Sequence, residues 1–354
     1  MGAITRSKLF WPAVTLVVLL AVNAAVRPSF LSLRMQDGHL YGSLIDILRN
    51  GAPTLLVALG MTLVIATRGI DLSVGAIVAI AGAVSCMFIF DAPDPGSVST
   101  VLIAVVLAIA VSLVLGVWNG FLVSVLGIQP IIATLILMTA GRGIAMLITN
   151  GQIITITSAP YKMIGAGYWL TLPVAILIAG VMFAVTAALT RRTALGTLVE
   201  AVGINPEASR LAGVRSRSII WTVYIFSALC AAIAGLMISS NVTAADANNN
   251  GLWIELDAIL AVVIGGTSLM GGKFSLAGTL VGAFVIQTLM TTVISVGIAP
   301  EITLVFKAVV VIIVCLLQSP VAQRALRRRR RRPAAEPAGP ESPSASRKPA
   351  EVTI

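Results

Sequence analysis

Ser99–Leu126 reads STVLIAVVLAIAVSLVLGVWNGFLVSVL, a long run without one charged side chain. A helix needs roughly 20 apolar residues to cross about 30 Å of hydrocarbon, so this stretch alone is long enough to span a bilayer. Its Gly116 and Gly120 mark where it tilts or kinks. The rest of the chain has the same character. Of 354 residues, 58% are hydrophobic and 11% are charged, with a mean hydropathy of +1.00. A soluble domain carries about 25% charged residues, so most of this chain faces something other than water. An aqueous enzyme, a disordered protein and a nucleic-acid binder are all poor fits.

Working outward, ten apolar spans are expected, at about 9–26, 52–67, 72–90, 99–126, 131–149, 169–190, 219–238, 256–269, 276–298 and 302–317. The fold class is therefore an all-α polytopic membrane protein with glycine-broken segments. The first apolar run follows Arg6 and Lys8 but is long for the core of a signal peptide, and is expected to stay as a span. Basic residues collect on the cytoplasmic side of membranes. An N-in, C-in frame leaves only Arg27, Arg34, Arg49 and Lys162 outside, with Arg142 and Lys307 inside spans. In that frame Lys307, near the outer end of the last span, snorkels outward. Three parts follow: residues 1–26 (N-terminus and first span), residues 27–323 (the transmembrane body, with a cytoplasmic loop at 191–218) and residues 324–354 (a tail).

The net charge of +10 is chiefly the tail, where Arg327–Arg332 form an unbroken run followed by Pro, Ala, Ser and Glu. Such a tail is expected to be disordered. Its basic run fits a stop-transfer signal or a patch for anionic membrane lipids. No aromatic residue interleaves it, so no nucleic-acid partner is expected. Cys86, Cys230 and Cys315 lie in apolar stretches without ligand spacing, and no metal site is expected. No GxxxxGK[ST] sequence occurs, so the chain is not expected to hydrolyse ATP.

Four features carry chemistry. The loop at 191–218 contains Asn205, Pro206 and then EASRLAG, Glu207–Gly213. Asn is a good N-cap, Pro suits the first helical position, Glu207 complements the helix dipole and Gly213 is a ready stop. So short a helix is unstable alone and should dock on something. A solvated connector and a helix inserted into a cytoplasmic partner through Glu207, Ala208, Ser209, Arg210 and Gly213 both fit. The second feature is a pair of breaks, RGIDLSVG (68–75) and GGTSLMGG (265–272), which align with Gly69, Asp71, Leu72 and Gly75 against Gly266, Ser268, Leu269 and Gly272. With Ser73, Gly265, Thr267 and Gly271 they are either turns at the membrane face or broken helices lining a pathway. In the N-in frame both point inward.

Third, Asp71 and Arg142 lie at membrane depth, where charge is costly. Asp71 is placed to cap the following helix, and Arg142 either pairs with a carboxylate or lines the pathway. Last, DANNNGLWIELD (246–257) supplies Asp246, Asn248, Asn249, Trp253, Glu255 and Asp257 to an external polar loop. Amides, carboxylates and an indole together suit a sugar; they equally suit a docking loop or an interfacial Trp.

The strings RGIDLSVGA, AVGINPEASRLAGV and LDAILAVVIGGTSLMGGKFSLAGTLVGA resemble the permeases of bacterial ABC importers for simple sugars, the ribose, xylose and galactose group, related to branched-chain amino-acid permeases. The resemblance runs over about residues 49–318. Within the family, QDGHLYGSLIDIL, IQPIIATLILMTAGRGIAMLITNGQ and ADANNNGLWIELDAI are most similar to permeases of galactofuranose importers. The resemblance implies an inner-membrane subunit, not itself an enzyme, that works with an ATP-binding subunit, a second and different permease chain, and a periplasmic sugar-binding protein. The chain would hold no cofactor, and ATP would be bound and hydrolysed by the partner. EASRLAG would be the coupling segment, with Ser209 in place of the family's second Ala. The rival, an ion-driven secondary transporter, needs intramembrane carboxylates, and beyond Asp71 the spans offer almost none.

Overall fold

A computed structural model describes residues 9–297 and, beyond them, Ile302, Leu304, Val305, Lys307, Ala308, Val309 and Ile312, all helical. Most of the expected tenth span and the whole tail at 324–354 lie outside the described residues. The helices are α1 (Phe10–Val26), α2 (Ser43–Ala66), α3 (Val74–Phe90), α4 (Val98–Ser124), α5 (Pro130–Ile148), α6 (Ala159–Gly165), α7 (Val174–Arg192), α8 (Leu195–Ile204), α9 (Pro206–Leu211), α10 (Ser216–Val242), α11 (Ile254–Ile264) and α12 (Leu276–Val296). Six of them (α2, α4, α5, α7, α10 and α12) are long and apolar enough to cross a membrane.

Three short antiparallel ladders interrupt the helices: β1 (Arg34–Gln36) with β2 (His39–Tyr41), β3 (Ile154–Thr155) with β6 (Ala244–Ala245), and β4 (Tyr168–Trp169) with β5 (Leu172–Pro173). The first turns on Asp37-Gly38, both left-handed, the pair that a two-residue hairpin of this twist favours.

The helices follow the apolar runs closely where nothing polar intervenes. α2 is the exception, starting nine residues before the expected Ala52. Its first turns carry Asp46, Arg49 and Asn50, which read as loop. Arg49 stays in the helix because its guanidinium is held, Nη2 donating to Asn241 Oδ1 at 2.5 Å and Nε to the Gly165 carbonyl at 3.3 Å. α8 was not expected at all, and α11 is shorter than its span. At 11 residues α11 reaches only about 16 Å, half a bilayer.

α2, α3 and α10 form the interior, and α3 is buried on nearly every side. A helix apolar all round belongs in the core. α4, α5 and α7 expose Leu, Ile and Val along most of their length, as lipid-facing helices do. α10 runs from the end of the bundle that carries α9, where Ser216 Oγ donates to the Pro206 carbonyl at 3.1 Å, to the far end, where Asn241 meets Arg49. α2 lies antiparallel to it, Gly60 against Ser227.

After α2 the chain unwinds over 67–73 and returns to the far end as α3. After α10 it unwinds over 243–253 and returns to the α9 end as α11. The second hairpin is the first turned upside down. Both returning helices are short because they start inside the bundle, with Gly75 of α3 facing Gly251 and Glu255 of α11.

Candidate functional site

α9 is built as its residues dictate. Asn205 Oδ1 accepts the Glu207 and Ala208 N–H groups at 3.1 and 3.0 Å, and Pro206 occupies the first turn. Ser209 is buried and its hydroxyl returns to the Asn205 carbonyl at 2.9 Å. Gly213 takes φ +86°, and Val214 N–H closes on Ser209 O at 2.9 Å. The left-handed turn that ends the helix costs glycine nothing. The outward face carries a Glu207–Arg210 ion pair at 2.6 Å and an exposed Leu211. The hydrogen-bonded Arg210 guanidinium holds the Glu207 carboxyl below the usual carboxylate range.

The two sequence breaks meet each other behind α9. Gly272 N–H donates to the Ala66 carbonyl at 2.9 Å, and Gly271 lies on the Arg68 side chain. Thr267 Oγ1 accepts Ser275 N–H at 3.2 Å, and Ser268 O accepts Gly271 N–H at 3.1 Å, which tightens the second break into a turn. Gly266 N–H bonds Val263 O at 2.9 Å, and Gly265 packs directly on Gly278 of α12.

The first break rises into the interior. Gly69 lies beside the Tyr224 hydroxyl, and Asp71 is buried. Asp71 Oδ1 accepts Ser73 N–H at 3.1 Å and Ser73 Oγ–H at 2.6 Å, and Oδ2 accepts Ser227 Oγ–H at 2.9 Å. Asn119 Nδ2 donates to Ser73 Oγ at 2.7 Å. Asp71 thus closes the turn ahead of α3 by one backbone N–H and binds α10 through Ser227. Thr134 of α5 grips the same turn, bonding Ile70 O at 3.2 Å and Leu72 N–H at 3.1 Å. Ser227, Asn119 and Thr134 carry no local signal in the sequence; only the fold places them here.

The stretch expected as an external polar loop divides into two. Asp246 makes its own turn, Oδ1 accepting Asn248 and Asn249 N–H at 3.0 and 3.1 Å and Oδ2 accepting Asn249 Nδ2–H at 2.7 Å. Trp253, half-exposed with φ 64°, is the last residue before α11. Glu255 and Asp257 belong to the first turn of α11 and are not in a loop. Glu255 is 2% exposed and lies against Gly75, and its Oε2 has no hydrogen-bond partner among the described residues. The positive ends of α3 and α11 both face this carboxylate.

Asp257 is ion-paired to Lys307 at 2.6 Å, both side chains largely buried. Lys307 does not snorkel outward; a buried partner within reach offers its ammonium a better site than the interface. The interior therefore holds more carboxylate than Asp71 alone.

Among the described residues, Arg142 pairs with no carboxylate by hydrogen bond. Its Nη1 donates to the carbonyls of Ala247 and Asn250 at 3.0 and 2.7 Å, pinning the unwound 243–253 segment to α5. The β3–β6 ladder pins the segment's start. Arg142→Met is expected to remove two charge-assisted hydrogen bonds, each worth about 1.5–3 kcal/mol. Amide exchange at Ala247–Gly251 should accelerate while α10 and α12 keep their protection; unchanged exchange there would reject the pinning role.

Residues 43–315 match the model of the branched-chain amino acid transport system / permease component. The chain belongs to this permease family. It is a multi-pass membrane protein, similar to a galactofuranose transporter permease protein of Escherichia coli K12, at 50% identity over 87% of this chain and 90% of the relative. A fructose import permease protein of Bifidobacterium longum is 43% identical over 89% and 88% of the two chains. A ribose import permease protein of Bacillus subtilis is 35% identical over 86% and 91%. No solved structure matches this permease.

Proposed function

We propose that this permease is a membrane subunit of an ABC importer that carries a monosaccharide, galactofuranose, across the bacterial inner membrane. The supporting observation is the 50% identity to a galactofuranose transporter permease along nearly the whole of both chains. A fructose or other simple-sugar substrate is the second reading, favoured by the 43% identical fructose permease.

In this reading the topology is N-in and C-in with ten spans, and α9 faces the cytoplasm. A partner subunit binds and hydrolyses ATP and grips α9 by its exposed face. A periplasmic binding protein delivers the sugar to the opposite end. The sugar passes between this chain and a second, different permease, and the basic tail meets anionic lipid.

Uptake of labelled galactofuranose and fructose by vesicles carrying the full complex, with and without ATP, tests the reading. ATP-dependent entry of galactofuranose is expected. Entry driven by a proton gradient without ATP would favour a secondary transporter instead. Gly213→Pro forces φ near −65° where the native value is +86°, and deletes the N–H that bonds Arg210 O. Uptake is expected to fall by about tenfold or more, with normal amounts of protein in the membrane. Full uptake in this variant would remove α9 from the coupling role.

A further inference from the structure

Three segments far apart in the chain meet by backbone alone at the α9 end. α2 stops at Ala66, and its carbonyl accepts Gly272 N–H from the second break. Gly203, in the last turn of α8 and two residues before the α9 cap, presses on both partners. A methyl group on Gly203 would lie 2.6 Å from Gly272 N and closer still to Ala66 O. Arg68 of the first break completes the contact, its Nη2 donating to the Ile204 carbonyl and its Cγ lying on Gly271.

The first break is the root of α3. The second is the foot of α11. α8 thus touches the end of α2 and the second break at Gly272 with no side chain between, and reaches the first break through Arg68. The two breaks lead into α3 and out of α11, which meet again at Gly75 and Glu255 in the interior. Close-packed interiors transmit displacement because they have no free volume to absorb it, and a small shift at such a contact is passed on whole.

We propose that Gly203 is a positioning residue for transport: the point at which a movement of α9, carried through α8, is passed at once to the root of α3 and the foot of α11. The inference rests on the coupling role proposed for α9. It adds that both half-helices are driven from one contact and move together.

The test uses the complete importer in proteoliposomes, measuring ATP hydrolysed per galactofuranose imported. Gly203→Ala is expected to leave ATP hydrolysis by the partner running while import falls about tenfold, so the ATP cost per sugar rises to match. Arg68→Met removes the link to Ile204 without crowding the contact, and a smaller rise, about threefold, is expected. Gly180→Ala in α7, where a methyl would meet nothing within 4 Å, is the control and should behave as wild type.

Wild-type stoichiometry in Gly203→Ala overturns the proposal. If that variant does not reach the membrane, unchanged stoichiometry in Arg68→Met overturns it. A wild-type complex that shows no ATP-dependent import defeats the functional reading itself, a result distinct from either.

Discussion

Lys307→Met is expected to destabilise the permease by about 3–5 kcal/mol, the usual consequence of leaving one member of a buried ion pair alone. The Lys307 ammonium sits 2.6 Å from Asp257 Oδ1, with the side chains only 8% and 14% exposed. Without Lys307 the Asp257 carboxylate stays in an apolar bundle with Glu255 two residues away and, among the described residues, no other cation paired to it. Replacing both partners, Asp257→Leu with Lys307→Met, removes the uncompensated charge and should recover most of the loss. Thermal unfolding of the purified protein in detergent, run as a double-mutant cycle, measures this. Additive losses in the double variant would mean that the two charges do not act on each other.

Gly282→Leu is expected to cost about 3 kcal/mol, the upper end of ordinary overpacking. α11 and α12 approach through small residues four apart on each helix, Gly282 against Ala261 and Gly278 against Gly265. Such spacing lets membrane helices bring their backbones together, where van der Waals contact holds them. Even a methyl group at Gly282 would overlap the Ala261 carbonyl, so leucine must drive the helices apart. The same measurement reports it, with Gly180→Leu, which points into open space, as reference. A Gly282→Leu protein as stable as the reference would mean that α11 and α12 are not in backbone contact.

What the sequence made legible, and what it did not, divides by distance along the chain. α3, α4, α5 and α12 begin within a few residues of their apolar runs, because exclusion of charge from hydrocarbon is a local rule. α9 was legible in full, since Asn205, Pro206 and Gly213 are its own punctuation. The start of α2 was not, because Arg49 is kept helical by Asn241, nearly 200 residues on. Asp71 stood out as a buried charge, but Ser227, which bonds it, and Asn119, which bonds its neighbour Ser73, are ordinary residues on other helices.

Glu255 and Asp257 were misplaced for the same reason. They follow a run of asparagines that reads as water-exposed, and only the return of the chain into the bundle takes them inside. The small-residue spacing of Ala261–Gly265 and Gly278–Gly282 was present as a signal, hidden beside the more conspicuous glycines at 271–272.

The unwound segment at 243–253 bears on how the protein tolerates change in length. Surface loops accept inserted residues because solvent can satisfy any added backbone. Here the backbone is held at fixed points by Arg142, by the β3–β6 ladder and by the turn of Asp246. One added residue would shift those carbonyls out of register and turn Glu255 away from Gly75. An epitope tag or fluorescent fusion placed there on the strength of its polar composition would disable the protein, whereas one in the exposed turn at 91–97, bonded within itself and to the start of α4, would leave the bundle's packing in place.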